Sequence, residues 1–459
     1  MPKQKSGSLV HVPDGTGGMR QIADLRFEEG DWPIILNIPA RDAENWMAHV
    51  SAETEERGWS SNSFAQLDSA ENSGSLFVHT SIGQTPATLE IVWEKTRGKE
   101  LHVRARPNGD PILSLTSAHE FINAITTRVR EKKTLRAHRQ ALLIYDGLPW
   151  RGELWLDENH RLGPPSKHAD WLLAPQAIIV DVMCEGIGQQ GVMANFQQRL
   201  HEIRVFLSMV LGIDTSINKI EFGWVPEINS QGNFSDCRLQ NIGYIETVQT
   251  HGFPVVGSAR PVERRVAERP GLGPYGITSD VHEKWVPTDI EQLWDSFMRL
   301  SSSKREHLLR AGNAHLSAAK MWPDQRTAYA AFLVVACEAL KPEGKKFDEL
   351  NVYDIVASLV SRDEAQRLRD LTYHPQKIRS GHLHRGELAA GELLPMFLHN
   401  HFRDPAFDEM LRTLSTVTQI CLIEWLRFKG EYQIIRIPRA VQKTASHSKP
   451  APAHGRVKK

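Results

Sequence analysis

Residues 326–340 read Arg326-Thr-Ala-Tyr-Ala-Ala-Phe-Leu-Val-Val-Ala-Cys-Glu-Ala-Leu340, without Gly or Pro and with apolar side chains on every side of a helical path. A surface helix keeps one wet face, whereas a helix that is apolar all round has to be enclosed by others. The stretch therefore predicts the centre of a helical bundle. Its neighbours supply the remaining helices. Thr288-Asp289-Ile290-Glu291 opens one with a plausible cap, followed by Leu293, Trp294, Phe297 and Leu300. A second begins at Ser303, carries Leu308, Leu309 and Leu316, and is broken by Pro323-Asp324. Short helices over 352–360 and 363–371 and a long closing one over 407–428 complete an all-α region spanning 287–430.

Upstream the texture differs. In residues 88–93 polar and apolar side chains alternate, 95–99 (Lys-Thr-Arg-Gly-Lys) turn the chain, and 100–106 alternate again, which predicts a hairpin with one wet face. Asp146-Gly147-Leu148-Pro149 is a turn between 142–145 and 153–156. The run 177–182 suits a buried strand, and Phe196, Leu200, Ile203, Leu207 and Val210 follow at helix spacing. Eight of the twelve Trp fall before residue 230, where packing in a large sheet accounts for them better than a ligand platform. Residues 1–256 are thus expected to form a β-rich domain. Pro and Gly crowd 257–286, which reads as a linker whose basic cluster (Arg260, Arg264, Arg265, Arg269, Lys284) is solvated. The remainder, 431–459, is expected as a strand and a basic disordered tail. The fold class expected is α+β, a β-rich domain followed by an all-α bundle.

Charge narrows the function. Lys plus Arg equals Asp plus Glu at 55 each, so no global field draws in nucleic acid or membrane, and any polyanion contact has to be local. The four Cys are scattered without a C-x-x-C pair, which argues against a disulfide framework or zinc knuckle and for a reducing compartment. No apolar run approaches the ~18 residues of a membrane span, and no apolar leader opens the chain, so a cytoplasmic protein without membrane contact is expected. The pairs His382/His384 and His399/His401 lack a carboxylate or Cys to complete a metal site, and no phosphate-binding Gly loop or dinucleotide fingerprint appears; neither metal nor cofactor is expected.

One spacing carries chemistry. Arg and His near one phosphate divide two tasks, the guanidinium neutralising it and the imidazole moving a proton. Arg-x4-His occurs four times: Arg97/His102, Arg310/His315, Arg369/His374 and Arg379/His384. With 35 Arg and 20 His in 459 residues, chance alone gives roughly 1.5. Context separates them. Arg97/His102 spans a turn and a strand and would face opposite sides. Arg310/His315, with Gly312 and Asn313 between, reads as a surface pair. His374 precedes Pro375 and reads as a C-terminal cap, where a cation suits the helix dipole. Arg379/His384 sits between Pro375 and Gly386, start and stop signals of a short helix, among His382 and Arg385. Five helical positions turn the chain by ~500°, leaving the two side chains ~140° apart. A joint site then needs unwinding at Gly381 or His384, or a second copy of the chain. An exposed, merely solvated connection between helices accounts for the same residues equally well.

The stretch Ile378-Arg-Ser-Gly-His-Leu-His-Arg-Gly-Glu387, with the apolar helix ending Ala336-Cys-Glu-Ala-Leu340, resembles the HEPN superfamily, and its closest flavour is the ApeA-like C-terminal HEPN domain of prokaryotic anti-phage defence proteins. The resemblance covers roughly residues 288–428 and leaves 1–255 without motifs. It implies a metal-independent endoribonuclease toxin of abortive infection, acting on tRNA or other cellular RNA to leave 2′,3′-cyclic phosphates. Arg379 and His384 would be catalytic; Ser380, His382 and Arg385 would bind substrate; Glu338 would support the site. Family members dimerise so that two motifs share a cleft, implying a homodimer or higher oligomer, and a phage-derived trigger is implied as partner. Ser380 stands where many active members carry Asn, Asp or His, and a hydroxyl positions but hardly titrates. The alternative is a non-catalytic RNA- or nucleotide-binding module acting as scaffold or sensor.

Overall fold

The computed structural model describes residues 7–13, 19–27, 34–39, 43–63, 73–82, 85–96, 100–108, 115–145, 148–164, 177–216, 223–228, 234–240, 253–257, 259–265, 286–322, 324–388 and 404–437, the strands before 40, between 60 and 108 and over 223–240 by their backbone alone. The described residues form both helices and antiparallel sheets, a mixed α+β protein. It divides into two compact units. The first takes most of Met1–Arg204 and Thr215–Arg265; the second takes Val205–Asp214 and the chain from Pro287.

The first unit holds two larger sheets. In the seven-stranded one, β1 (Gly7–Pro13), β2 (Met19–Phe27), β3 (Ile34–Pro39), β4 (Ser60–Ser63), β5 (Ser73–Ile82), β6 (Thr85–Thr96) and β7 (Glu100–Asn108) lie in the order β1-β2-β3-β7-β6-β5-β4. The hairpin read from 88–106 is β6–β7, paired antiparallel from Thr96↔Glu100 to Thr88↔Asn108. Helix α1 (Ala43–Glu56) follows β3, and α2 (Leu115–Glu131) follows β7.

The second sheet contains β8 (Leu135–Tyr145), β9 (Leu154–Asp157), β10 (His160–Gly163), β11 (Ala177–Gly186) and β12 (Thr215–Ser216), in the order β12-β8-β11-β10-β9. Period-two alternation gives it two unlike faces. Ala141, Leu143, Val180, Val182, Leu154 and Leu162 are buried in the core. On the opposite face one cross-strand row runs Trp155–Arg161–Asp181–Gln140. Asp181 is fully buried, a position tolerable only because Arg161 (2.8 Å), Gln140 (2.8 Å) and His138 (2.9 Å) surround its carboxylate. Helix α3 (Gly188–Leu211) follows β11 and carries residues of both units, since its last turns, Val205–Leu211, belong to the second. Short pairs β13 (Gly223–Ile228)/β14 (Phe234–Gln240) and β15 (Arg264–Arg265)/β16 (Val286–Pro287) complete the described strands.

The second unit is helical: α4 (Ile290–Met298), α5 (Ser302–Met321), α6 (Arg326–Glu338), α7 (Val352–Leu359), α8 (Arg362–Asp370), α9 (Pro375–Arg385) and α10 (Pro405–Arg427). Local chemistry sets their ends. Ser301 accepts the Lys304 N–H, Asn351 and Asp354 form a capping box, Ser361 accepts the Glu364 N–H, and Asp404 accepts the Ala406 N–H ahead of Pro405. As its composition requires, α6 is enclosed: Ala330, Val334, Ala336 and Cys337 have no exposed surface. Arg326–Asp408, Tyr329–Ser415 and Cys337–Thr418 join α6 to α10 in rising order, so the two helices run parallel. α9 also packs against α6.

Four sequence expectations change. His374 caps the N-terminus of α9 rather than the C-terminus of α8, because α8 ends at Asp370 and Pro375 begins a helix more readily than it ends one. His315 is not a surface residue. It is 5% exposed, and its Nδ1 lies 2.9 Å from Ser208 Oγ on α3. No strand forms over 431–437; side chains strap that segment down instead, through Tyr432 Oη–Leu340 O (2.7 Å), Ile435 N–Ser358 Oγ (2.8 Å) and Ile437 N–Asp354 Oδ1 (2.8 Å). The stretch read as a linker is fastened at both ends, by Glu153–Arg260 and Glu153–Val262 backbone bonds and by Val286 N–H to Glu263 O. The side chains of Arg97, His102, His399 and His401 and the tail from 438 lie outside the described residues.

Candidate functional site

Helix α9 is where the sequence reading converges. Pro375 presets its first turn, and Gly386 ends it in the left-handed region (φ 67°) that a side chain would strain. Between them the helix is uninterrupted. Unwinding at Gly381 or His384, one of the two ways to bring Arg379 and His384 together, does not occur. On an ideal helix the two stay ~140° apart.

Arg379 faces α6. It is half-buried, its Nη2 lies 3.6 Å from Glu338 Oε2, an ion pair beyond hydrogen-bond distance, and its Nε is buried without a hydrogen-bond partner. Glu338 in turn accepts a 3.0 Å hydrogen bond from Gln376 Nε2. Gln376 precedes Arg379 by three residues, so both side chains address the same carboxylate from neighbouring turns. Glu338, expected to support the site, thus lies beside Arg379 as an ion-pair partner. Gln376 was missed, and its signal is that i, i+3 spacing.

Ser380 and His384 are exposed on the outer side, and His382 is half-buried with its Nδ1 3.2 Å from the Glu387 carbonyl oxygen. Arg385 is exposed and forks onto the Glu387 carboxylate, Nε to Oε1 at 2.9 Å and Nη2 to Oε2 at 3.0 Å. Glu387 is the second residue that sequence reading passed over, although it is the only acid in 375–387. The structure thus assembles two clusters on one helix. Arg379, Gln376 and Glu338 face α6; Arg385, Glu387, Gly381 and His382 close the C-terminal end.

Electrostatically α9 is basic without any acid of its own, in a chain of zero net charge. Lys377, Arg379 and Arg385 give Pro375–Arg385 three fixed positive charges and no negative one, with His382 and His384 added in the last turn. Cations there complement the negative end of the helix dipole, which favours them structurally as well as chemically. Among the described residues no group of three or more His, Cys, Asp or Glu is arranged to hold a metal ion, and no helix is long and apolar enough to cross a membrane. Comparison with known proteins finds no matching family model, no matching curated protein and no matching solved structure.

Proposed function

We propose that the chain is a metal-independent endoribonuclease that works through α9. One observation carries the reading: a helix with three fixed cations, two imidazoles and no acid, its His384 open to solvent, in an otherwise neutral chain. Cations so placed hold phosphates. In this reading His384 takes the proton of a ribose 2′-hydroxyl, the 2′-oxygen bonds to phosphorus and the bond to the 5′-oxygen breaks. The proton the leaving oxygen needs comes from a second imidazole or returns from the first. Arg379 stabilises the charge that grows on the phosphoryl oxygens. The products are a 2′,3′-cyclic phosphate and a 5′-hydroxyl. Because ~140° separates the two side chains on one helix, this reading calls for a homodimer in which each phosphate meets Arg379 of one chain and His384 of the other. The first unit then serves as sensor, in keeping with the defence role that the sequence resemblance implies.

The ion pair of Arg379 with Glu338 favours a second reading, a non-catalytic RNA- or nucleotide-binding module, because a guanidinium engaged by a carboxylate is less available to a phosphate. Purified full-length chain, His384→Ala and Arg379→Ala incubated with total RNA and tRNA in EDTA separate the two. Fragments ending in cyclic phosphate from the parent and not from His384→Ala are the expected result. Intact RNA with equal binding by the parent and His384→Ala leaves the binding module; cleavage abolished by EDTA refutes the metal-independent chemistry.

A further inference from the structure

Gly381 is buried although it lies on the side of α9 turned away from Arg379. What covers it is Glu387: a Cβ on Gly381 would stand 2.4 Å from Glu387 Oε2. The chain folds back to put it there. Past the left-handed Gly386, the Gly386 N–H donates to His382 O (2.9 Å) and the Glu387 N–H to Gly381 O (3.2 Å). On the helical path Lys377 and Arg385 flank Gly381 at ~40° on either side and His384 at ~60°. One carboxylate therefore lies over bare backbone, held by a two-pronged guanidinium, on the stretch of helix that also carries Lys377 and His384.

We propose that this patch is an anion site which Glu387 occupies in the resting chain, and that the anion displacing it is a backbone phosphate of RNA. The inference rests on the reading that α9 faces RNA and adds how the site is regulated. A guanidinium fork fits carboxylate and phosphate oxygens alike, so Glu387 stands where a phosphate would be gripped by Arg385 next to His384. Without a side chain, Gly381 lets either group come down on the helix. The internal pair is weak enough to give way: Arg385 and Glu387 side chains are 67% and 55% exposed, and exposed pairs of this kind shift an equilibrium by roughly two- to fivefold. Arg385 is a binding residue in this scheme and Glu387 its built-in competitor.

The test is binding of a fluorescent 2′-O-methyl RNA octamer, which has no 2′-hydroxyl to react, to the full-length chain at fixed salt. Glu387→Gln is expected to tighten binding roughly two- to fivefold. Arg385→Lys, which keeps the charge and loses the fork, should cancel that gain in the Glu387→Gln background. Glu409→Gln, the same charge change at an exposed site on α10, should have no comparable effect. Equal tightening by Glu387→Gln and Glu409→Gln would reduce the effect to bulk charge and overturn the proposal. Unchanged or weaker binding by Glu387→Gln overturns it as well, and so does absence of binding in every variant. All three positions are exposed, and unchanged circular dichroism and melting confirm that the variants fold. The nuclease reading stands apart: the expected binding pattern without His384-dependent cleavage removes the nuclease alone, and cleavage with a silent Glu387→Gln removes this proposal alone.

Discussion

Protonation of His315 gives a prediction whose size follows from its burial. His315 shares the Arg-x4-His spacing of the α9 pair, yet it is enclosed in the second unit, 5% exposed, with Ser208 Oγ as partner. Burial lowers its pKa from 6.5 to about 4. The folded chain therefore holds a neutral imidazole where the unfolded chain would take a proton, and between those values the unfolded state binds more protons. Stability then falls as pH falls: the full contribution is present above about pH 6.5 and is lost progressively down to about pH 4. At 1.36 kcal/mol per pKa unit the total is about 3 kcal/mol, of which about 2 kcal/mol is lost between pH 7 and pH 5. Hydrogen–deuterium exchange of the α5 amides, corrected for the intrinsic pH dependence of exchange, reads the opening free energy of this unit without requiring the whole chain to unfold in one step. His315→Gln keeps an acceptor for the Ser208 hydroxyl and removes the titration. The parent is expected to lose about 2 kcal/mol more than the variant between the two pH values. His49, also buried and lowered to about 4, is present in both proteins and cancels. Equal losses in parent and variant would show that His315 is not held neutral by burial.

Two further outcomes test the packing around α5, α6 and α10. A Cβ on Gly312 would lie 2.3 Å from Val205 Cγ1 and 2.9 Å from Met209 Sδ, so Gly312→Ala should lower stability by about 1–3 kcal/mol in thermal melts, and adding Val205→Ala should restore part of it. Burial pushes the Cys421 thiol well above its ordinary value, with the Cys337 thiol adding to the effect; iodoacetamide at pH 8 should leave both untouched in the native chain and modify both in urea, and native-state labelling at the unfolded rate contradicts the burial.

The helices of the second unit were legible because their ends are written locally. Pro375 fixes a first turn, and the all-round apolar α6 has nowhere to go but the interior; the cap read at Thr288–Glu291 makes no side-chain bond, and among those that do, Ser301, Ser361 and Asp404 went unread. The hairpin β6–β7 was legible for the same reason, since turn and alternation lie within one short stretch. What escaped depends on contacts distant in sequence. Spacing marks Leu207 and Val210 as one face of α3 but does not say which unit covers it, and the unit boundary crosses that helix at Arg204/Val205. The partner of His315 comes from 107 residues away, so periodicity alone made a core residue look wet. Around α9 the sequence supplied Arg379 and His384 by spacing and Glu338, at the end of α6, by resemblance, whereas Gln376 and Glu387 emerged only once Glu338 and Gly381 had positions to share.

Four copies of one spacing therefore meet different fates, and the reason is that helical periodicity fixes direction while burial and partners fix chemistry. The side chains of Arg97 and His102 are not described, and His374 stands at the N-cap position of α9. His315 is deprived of its charge by burial. In the fourth pair the helix keeps Arg379 and His384 on different sides, so the pair behaves as two half-sites rather than one. The half facing inward has the Glu338 carboxylate, itself bonded by Gln376, at 3.6 Å, and is partly neutralised by it. The half facing outward leaves His384 open and Arg385 held by a weak, exposed carboxylate. An anionic ligand approaching from solvent meets the outward half first, and there the cost of entry is set by Glu387. Only afterwards does Arg379 matter, and then through whatever second surface brings an inward-facing guanidinium to the same phosphate. Under the proposed function, Arg385 and Glu387 set whether an RNA phosphate is held, and Arg379 and His384 act on it afterwards.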